Sequence, residues 1–210
     1  EMHLEWRQRY ALHGLLLYLA STIFVCYLSF KAKQQAINPI TWNTLFWIIL
    51  LFIAINAIGK SFTQESSQRN LFYYTLVSPE AIIYSKIIYN SFVMIGISLV
   101  GFVFYSWVMG NPVGNIPLYF VTIVLGGIGF SSCLSLMAGI AAQGENSATL
   151  MAVLSFPIII PLLLLILKLA KSAMDGISIQ ENWDEIAILG SLDTIVIVLS
   201  GILFPYIWKH

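Results

Sequence analysis

Apolar runs about as long as a bilayer crossing alternate with short polar interruptions along the 210 residues. A helix rises about 1.5 Å per residue, so roughly 20 mostly apolar residues cross a hydrocarbon core of about 30 Å. Six stretches reach that length: 12–30, 42–59, 87–109, 117–142, 148–167 and 186–208. A lipid-embedded segment has to satisfy its own backbone N–H and C=O groups, so continuous runs of this length predict helices. The pattern predicts an all-α polytopic membrane protein, a single six-helix unit over residues 1–210. Only the interruptions at 60–86 and 168–185 are long, and neither has room for a soluble domain.

Two polar stretches carry a pattern of their own. The opening EMHLEWRQRY repeats Met2, Trp6 and Tyr10 at a spacing of four, with Glu5 and Arg9 as an i,i+4 pair. It lacks the apolar core and cleavage site of a signal peptide, and reads as a short interfacial helix or an extension of the first span. The second stretch, QESSQRNLFYYTLVSPE, covers residues 64–80. Glu65 and Arg69 pair in the favoured order, and Phe72, Tyr73, Leu76 and Val77 follow as an apolar set. A short amphipathic helix is expected, either resting on the lipid or docking into a cytoplasmic partner and passing its movements to spans 2 and 3. Ser78 then serves as N-cap, Pro79 as the first helical residue and Glu80 as a first-turn acid.

Composition agrees with the pattern. Charged residues make up 10% of the chain and hydrophobic ones 59%, with a mean hydropathy of +0.85, whereas soluble domains carry about 25% charged residues. The formal net charge of zero gives no footprint for nucleic acid. Cys26 and Cys133 both fall in apolar spans, where a thiol acts as a small hydrophobe, so neither a disulfide framework nor a metal cluster is expected. With a cytoplasmic N-terminus the inner side holds six cations, Arg7, Arg9, Lys60, Arg69, Lys86 and Lys209. The outer side then holds four, Lys31, Lys33, Lys168 and Lys171, and the bias favours both termini inside.

Several chemistries are disfavoured. AINAIGKS at 54–61 approaches a phosphate-binding loop but has Ala54 at the first glycine position. It also ends a membrane helix, where carbonyls rather than amides are free, so Gly59 reads as a helix stop and Lys60 as an interfacial cation. Serines in GFSSCLS (129–135) have no histidine base near them, since His3, His13 and His210 lie at or near the chain ends. Those histidines also make poor haem or metal ligands, so no catalytic residue and no metal ligand is assigned. Spans 2 to 5 carry no ionisable residue in their apolar interiors. Asp193 in span 6 is the exception, read as a structural residue reaching headgroups or water from about two turns below the outer end. A protein with neither a motor motif nor an evident coupling site takes its energy from elsewhere or uses none.

Two spans have distinctive faces. In VTIVLGGIGFSSCLSLMAGIAA, Gly127, Ser131, Ser135 and Gly139 follow one another at i+4, a stripe that lets helix backbones approach closely in lipid. The stripe serves packing inside the monomer or an interface with a second membrane subunit. In span 5, Pro157 and Pro161 each lack an amide hydrogen, so a paired kink is expected.

These features together resemble the CcmB family, haem exporter protein B, the ABC-transporter permease subunit of the cytochrome c maturation system. The resemblance rests on SFTQESSQRNLFYYTLVSPEAIIYSK (61–86), GGIGFSSCLSLMAGIAA (126–142) and MAVLSFPIIIPLLL (151–164). Glu65, Pro79 and Lys86 occupy the family's acidic, proline and lysine positions around a short helix, and Pro157 and Pro161 match its span-5 prolines. SSQRNLFYY departs from the acidic run, glycine and Leu-Glu pair common in that family before the docking helix.

The resemblance implies an ABC-2-type permease fold in the bacterial inner membrane, with a coupling segment over 62–79. Its ATPase-coupling residues would be Glu65, Arg69, Phe72, Tyr73, Leu76, Pro79 and Lys86. The partners implied are a CcmA-type ATPase, a CcmC-type haem-handling subunit and the haem chaperone CcmE, in a lipid bilayer. Haem would be the substrate of the complex. The residues leave open whether this chain carries it or only transmits the force that releases the loaded chaperone, and the lack of a convincing axial ligand favours the second. Two other readings stand beside this one. A secondary transporter or channel using Asp193 predicts transport by the purified chain alone, and a non-transporting scaffold predicts indifference to ATPase mutations.

Overall fold

Apolar segments in lipid close their hydrogen bonds locally, and the computed structural model places six long α-helices among its described residues. It describes residues 9–32, 37–63, 78–142, 144 and 147–208. The helices are α1 (Arg9–Ala32), α2 (Pro39–Thr63), α3 (Pro79–Met109), α4 (Ile116–Ala141), α5 (Ser147–Met174) and α6 (Trp183–Trp208). Each contains a stretch long and apolar enough to cross a membrane. Among the described residues there is no strand, and a short 3-10 turn, Gln180–Asn182, leads into α6. Residues 1–8, where most of the interfacial helix was expected, lie outside the described residues.

Three boundaries depart furthest from the hydropathy reading. α3 starts at Pro79 rather than 87, and α5 runs on to Met174 rather than 167. Hydropathy marks the part of a helix that lies in lipid, while hydrogen bonding carries the helix into the polar interface. The 31 residues of α3 extend about 46 Å, beyond a hydrocarbon core of about 30 Å. The connection expected over 168–185 therefore shrinks to 175–182. Lys168 and Lys171 sit on α5 instead, pairing with Glu185 at 3.1 Å and Asp175 at 2.6 Å. α2 also passes through Gly59 to Thr63, so Gly59 is not a helix stop. A helical glycine costs only about 1 kcal/mol relative to alanine, and here it accepts the Met151 sulfur of α5, which would lie 3.3 Å from an added Cβ.

α4 is the hub. It packs against α2, α3, α5 and α6, and 72% of its apolar window is buried, compared with 11% for α1. α1 lies outside, against α2 and α3, with Leu19 at 3.4 Å from where a Cβ on Gly101 would stand. Contacts between the helix ends define two ends of the bundle. The far end gathers the start of α2, the end of α3, the start of α4 and the end of α5. The near end gathers the end of α2 with the start of α5, and the start of α3 with the end of α6.

Aromatic rings fill the far end. Trp42 lies 4.7 Å from Tyr105, and Phe102 stacks on Tyr119 at 4.9 Å, with Phe46 between the two pairs. Trp42 Nε1 donates to the Gly110 carbonyl at 2.9 Å, and the Tyr105 hydroxyl donates to the Trp42 carbonyl at 3.1 Å. Asn43 Nδ2 donates to the Leu167 carbonyl at 3.2 Å. Asn115 caps α4, accepting from the Leu118 amide at 3.1 Å, while its Nδ2 donates to the Ile177 carbonyl at 2.7 Å. Gly110 and Gly176, at φ 82° and 77°, make the turns that bring these connections together.

Candidate functional site

The start of α3 is the described part of the proposed coupling region. Ser78 occupies the N-cap, Pro79 the first turn and Glu80 the acidic position, as the sequence pattern expects. The Ser78 side chain makes no capping hydrogen bond, so this start rests on proline's fixed φ and the first-turn acid. Glu65, Arg69, Phe72, Tyr73 and Leu76 lie outside the described residues, as does the docking helix assigned to them. Pro79 and Lys86 are described, and Lys86 is buried on the same face of α3 as Ile82, Ile83, Ile87 and Asn90.

That face meets the small-residue stripe of α4. Ser91 Oγ donates to Ser131 Oγ at 3.0 Å, and Ser131 Oγ donates in turn to the Ile87 carbonyl at 3.0 Å. Asn90 Nδ2 donates to Ser135 Oγ at 2.9 Å. Farther along, a Cβ on Gly127 would come 3.0 Å from Ile95 Cγ1 and 3.4 Å from the Ile95 amide nitrogen. Gly127, Ser131 and Ser135 thus lie against α3 within the chain, and Gly139 is buried on the same helix. The stripe draws two backbones together and fills the contact with hydroxyls that bond across it.

A second contact ties the start of α3 to α6. Any Cβ on Gly201 would overlap the Tyr84 ring and hydroxyl. The first turns of α3 are therefore seated on α4 by hydrogen bonds and on α6 by shape. The sequence reading missed Asn90, Ser91, Tyr84 and Gly201. Asn90-Ser91, a polar pair inside an apolar span, was the available signal for the first two. A glycine in an apolar helix gave no signal for the Tyr84 contact.

Pro157 and Pro161 both lie within a continuous α5 and are exposed on its outer surface, alongside Phe156, Ile160 and Leu164. α6 holds a further internal proline, Pro205, that the sequence reading did not single out. Asp193 departs from expectation. It is 4% exposed, and neither carboxyl oxygen has a hydrogen-bond partner among the described residues. Counting from Trp183, it lies about 15 Å into α6, too deep to reach headgroups. Its neighbours are Gly129 of α4 and Leu162 of α5.

His13 is exposed on α1, and no group of three His, Cys, Asp or Glu side chains able to hold a metal occurs among the described residues. Residues 54–61 are helical throughout, so AINAIGKS forms no phosphate loop. The arrangement can transmit displacement between helices.

Comparison with curated proteins and with solved structures gave no match. A family comparison did: the model of the CcmB protein family matches residues 1–207, through all six helices. The chain therefore belongs to the CcmB family, the membrane permease component of the ABC-type haem export system of cytochrome c biogenesis.

Proposed function

We propose that this chain converts ATP hydrolysis by a separate CcmA-type ATPase into movement of its own helices, driving haem delivery or release of the haem-loaded chaperone CcmE. In this reading the ATPase docks on the coupling segment 62–79 at the cytoplasmic face of the bacterial inner membrane, with both termini on that side. Phe72, Tyr73 and Leu76 form the docking face, flanked by Glu65 and Arg69. Pro79 and Lys86 lead the motion into α3. Haem is the substrate handled by the assembly, with a CcmC-type subunit, rather than a ligand held by an axial residue of this chain.

The supporting observation is the seating of the first turns of α3. A displacement delivered to Pro79 reaches α4 through Ser91, Ser131, Asn90 and Ser135, and α6 through Tyr84 on Gly201. Such coupling requires an element with two arrangements that the partner can bias. An interface of small side chains and single hydrogen bonds is suited to that task.

The test is the double substitution Phe72→Ala with Tyr73→Ala in the full chain, co-expressed with its ATPase. Loss of ATPase co-purification, with membrane insertion and thermal stability unchanged, is the expected result. Undiminished ATPase binding by the double mutant would refute the docking helix.

A further inference from the structure

The buried carboxyl on α6 has no part in the coupling path, yet its surroundings are specific. A Cβ on Gly129 would stand 2.6 Å from Asp193 Oδ1 and 2.8 Å from Leu162 Cδ1. Only a residue without a side chain lets the α4 backbone close over the carboxyl at this point. The group is thereby sealed between α4, α5 and α6.

The neighbouring groups do not neutralise it. From α4 comes Cys133, one turn beyond Gly129 and within electrostatic reach of Asp193. From α5 comes the apolar Leu162. On α6 itself, Leu189 and Val196 flank it on the buried side. α3 touches α6 through Tyr84 at Gly201, two turns away. No cation among the described residues bonds to either carboxyl oxygen. An isolated carboxylate in a low-dielectric interior is far more costly than the neutral acid.

We propose that the α4–α5–α6 junction is a proton-binding site, in which Asp193 holds the proton and the close approach at Gly129 seals it from water. Release is the simple ionisation of the acid to its carboxylate, with the proton passing to water. Water reaches Asp193 only when α4 draws away at Gly129. Opening of the junction and loss of the proton are therefore linked, and more alkaline surroundings favour the open arrangement. This site stands independently of the coupling segment and of any ATPase.

Infrared spectroscopy tests it on the full chain in vesicles of phosphatidylethanolamine and phosphatidylglycerol. At pH 7 the wild-type protein should show the carbonyl stretch of a protonated carboxyl, and Asp193→Asn should abolish that band. A wild-type spectrum with only ionised carboxylate absorption, or a protonated band that survives the substitution, overturns the proposal. Gly129→Ala should shift the band, because its methyl group displaces the carboxyl; an unshifted band overturns the sealing role. Should Asp193→Asn fail to insert, wild-type protein carrying 13C in the aspartate carboxyls gives the same decision, because the label lowers the frequency of a protonated aspartate carbonyl and leaves those of glutamate in place. The protonated band should move to lower frequency, and a band left in place overturns the proposal.

Discussion

The two ends of the bundle are held by different means. At the far end, Trp42, Phe46, Phe102, Tyr105 and Tyr119 interlock, and Asn43, Asn115, Trp42 and Tyr105 bond to backbone carbonyls across helices. Moving one of these buried rings breaks its packing against the others and leaves a void. Nearer the other end, α3 meets α4 through serines, glycines and one asparagine, each bond joining small groups. Interhelical hydrogen bonds in lipid average only about 0.6 kcal/mol, and small side chains present little relief to resist sliding. One end is interlocked by rings while the other meets through small side chains, an asymmetry that fits the proposed drive from one side.

The largest expected effect tests the anchor. Trp42→Ala removes a fully buried indole, its hydrogen bond to Gly110 and its contact with Tyr105, and should cost about 3 kcal/mol or more. Thermal unfolding of the purified chain in detergent should show a marked drop in midpoint, with ATPase binding retained by the folded fraction. Next comes Asn115→Ala, which strips the α4 N-cap and the bond to Ile177. A loss of about 1 kcal/mol is expected, read by the same measurement.

The smallest effect belongs to the softer end. Ser131→Ala removes the bond to Ile87 and the acceptor of Ser91, at a cost of about 1 kcal/mol or less. Its stability should be nearly unchanged, while ATP-driven turnover of the assembled complex should alter. If Ser131→Ala destabilised the protein as much as Trp42→Ala, the contrast between the ends would be broken. A change in turnover from Trp42→Ala at full folding would break it from the other direction.

The opening of α3 was readable because proline at the first turn and a first-turn acid act locally, through φ and the helix dipole. Gly59 was misread for the same reason: taken alone a glycine suggests an ending, yet here it admits Met151 from another helix. The stripe Gly127, Ser131, Ser135 and Gly139 was visible as a face, but nothing in its spacing told α3 from a second subunit. The far-end aromatics carried no signal at all. A ring in an apolar helix looks the same in sequence whether it lies on the outer surface, as the largely exposed Trp107 does, or is buried among other rings, as Trp42 is.

By itself the sequence determined how many times the chain crosses the bilayer, roughly where each crossing lies, and how α3 begins. Run length and helix-end chemistry are local properties, and lipid leaves the backbone no other way to satisfy its hydrogen bonds. Tertiary structure alone decided that α4 lies at the centre, that its serines bond to α3, and that Asp193 is closed off by Gly129. In a bilayer the lipid tails are as apolar as the helices, so hydropathy does not distinguish a face toward lipid from a face toward protein. Shape makes that distinction, and it exists only once the helices are together.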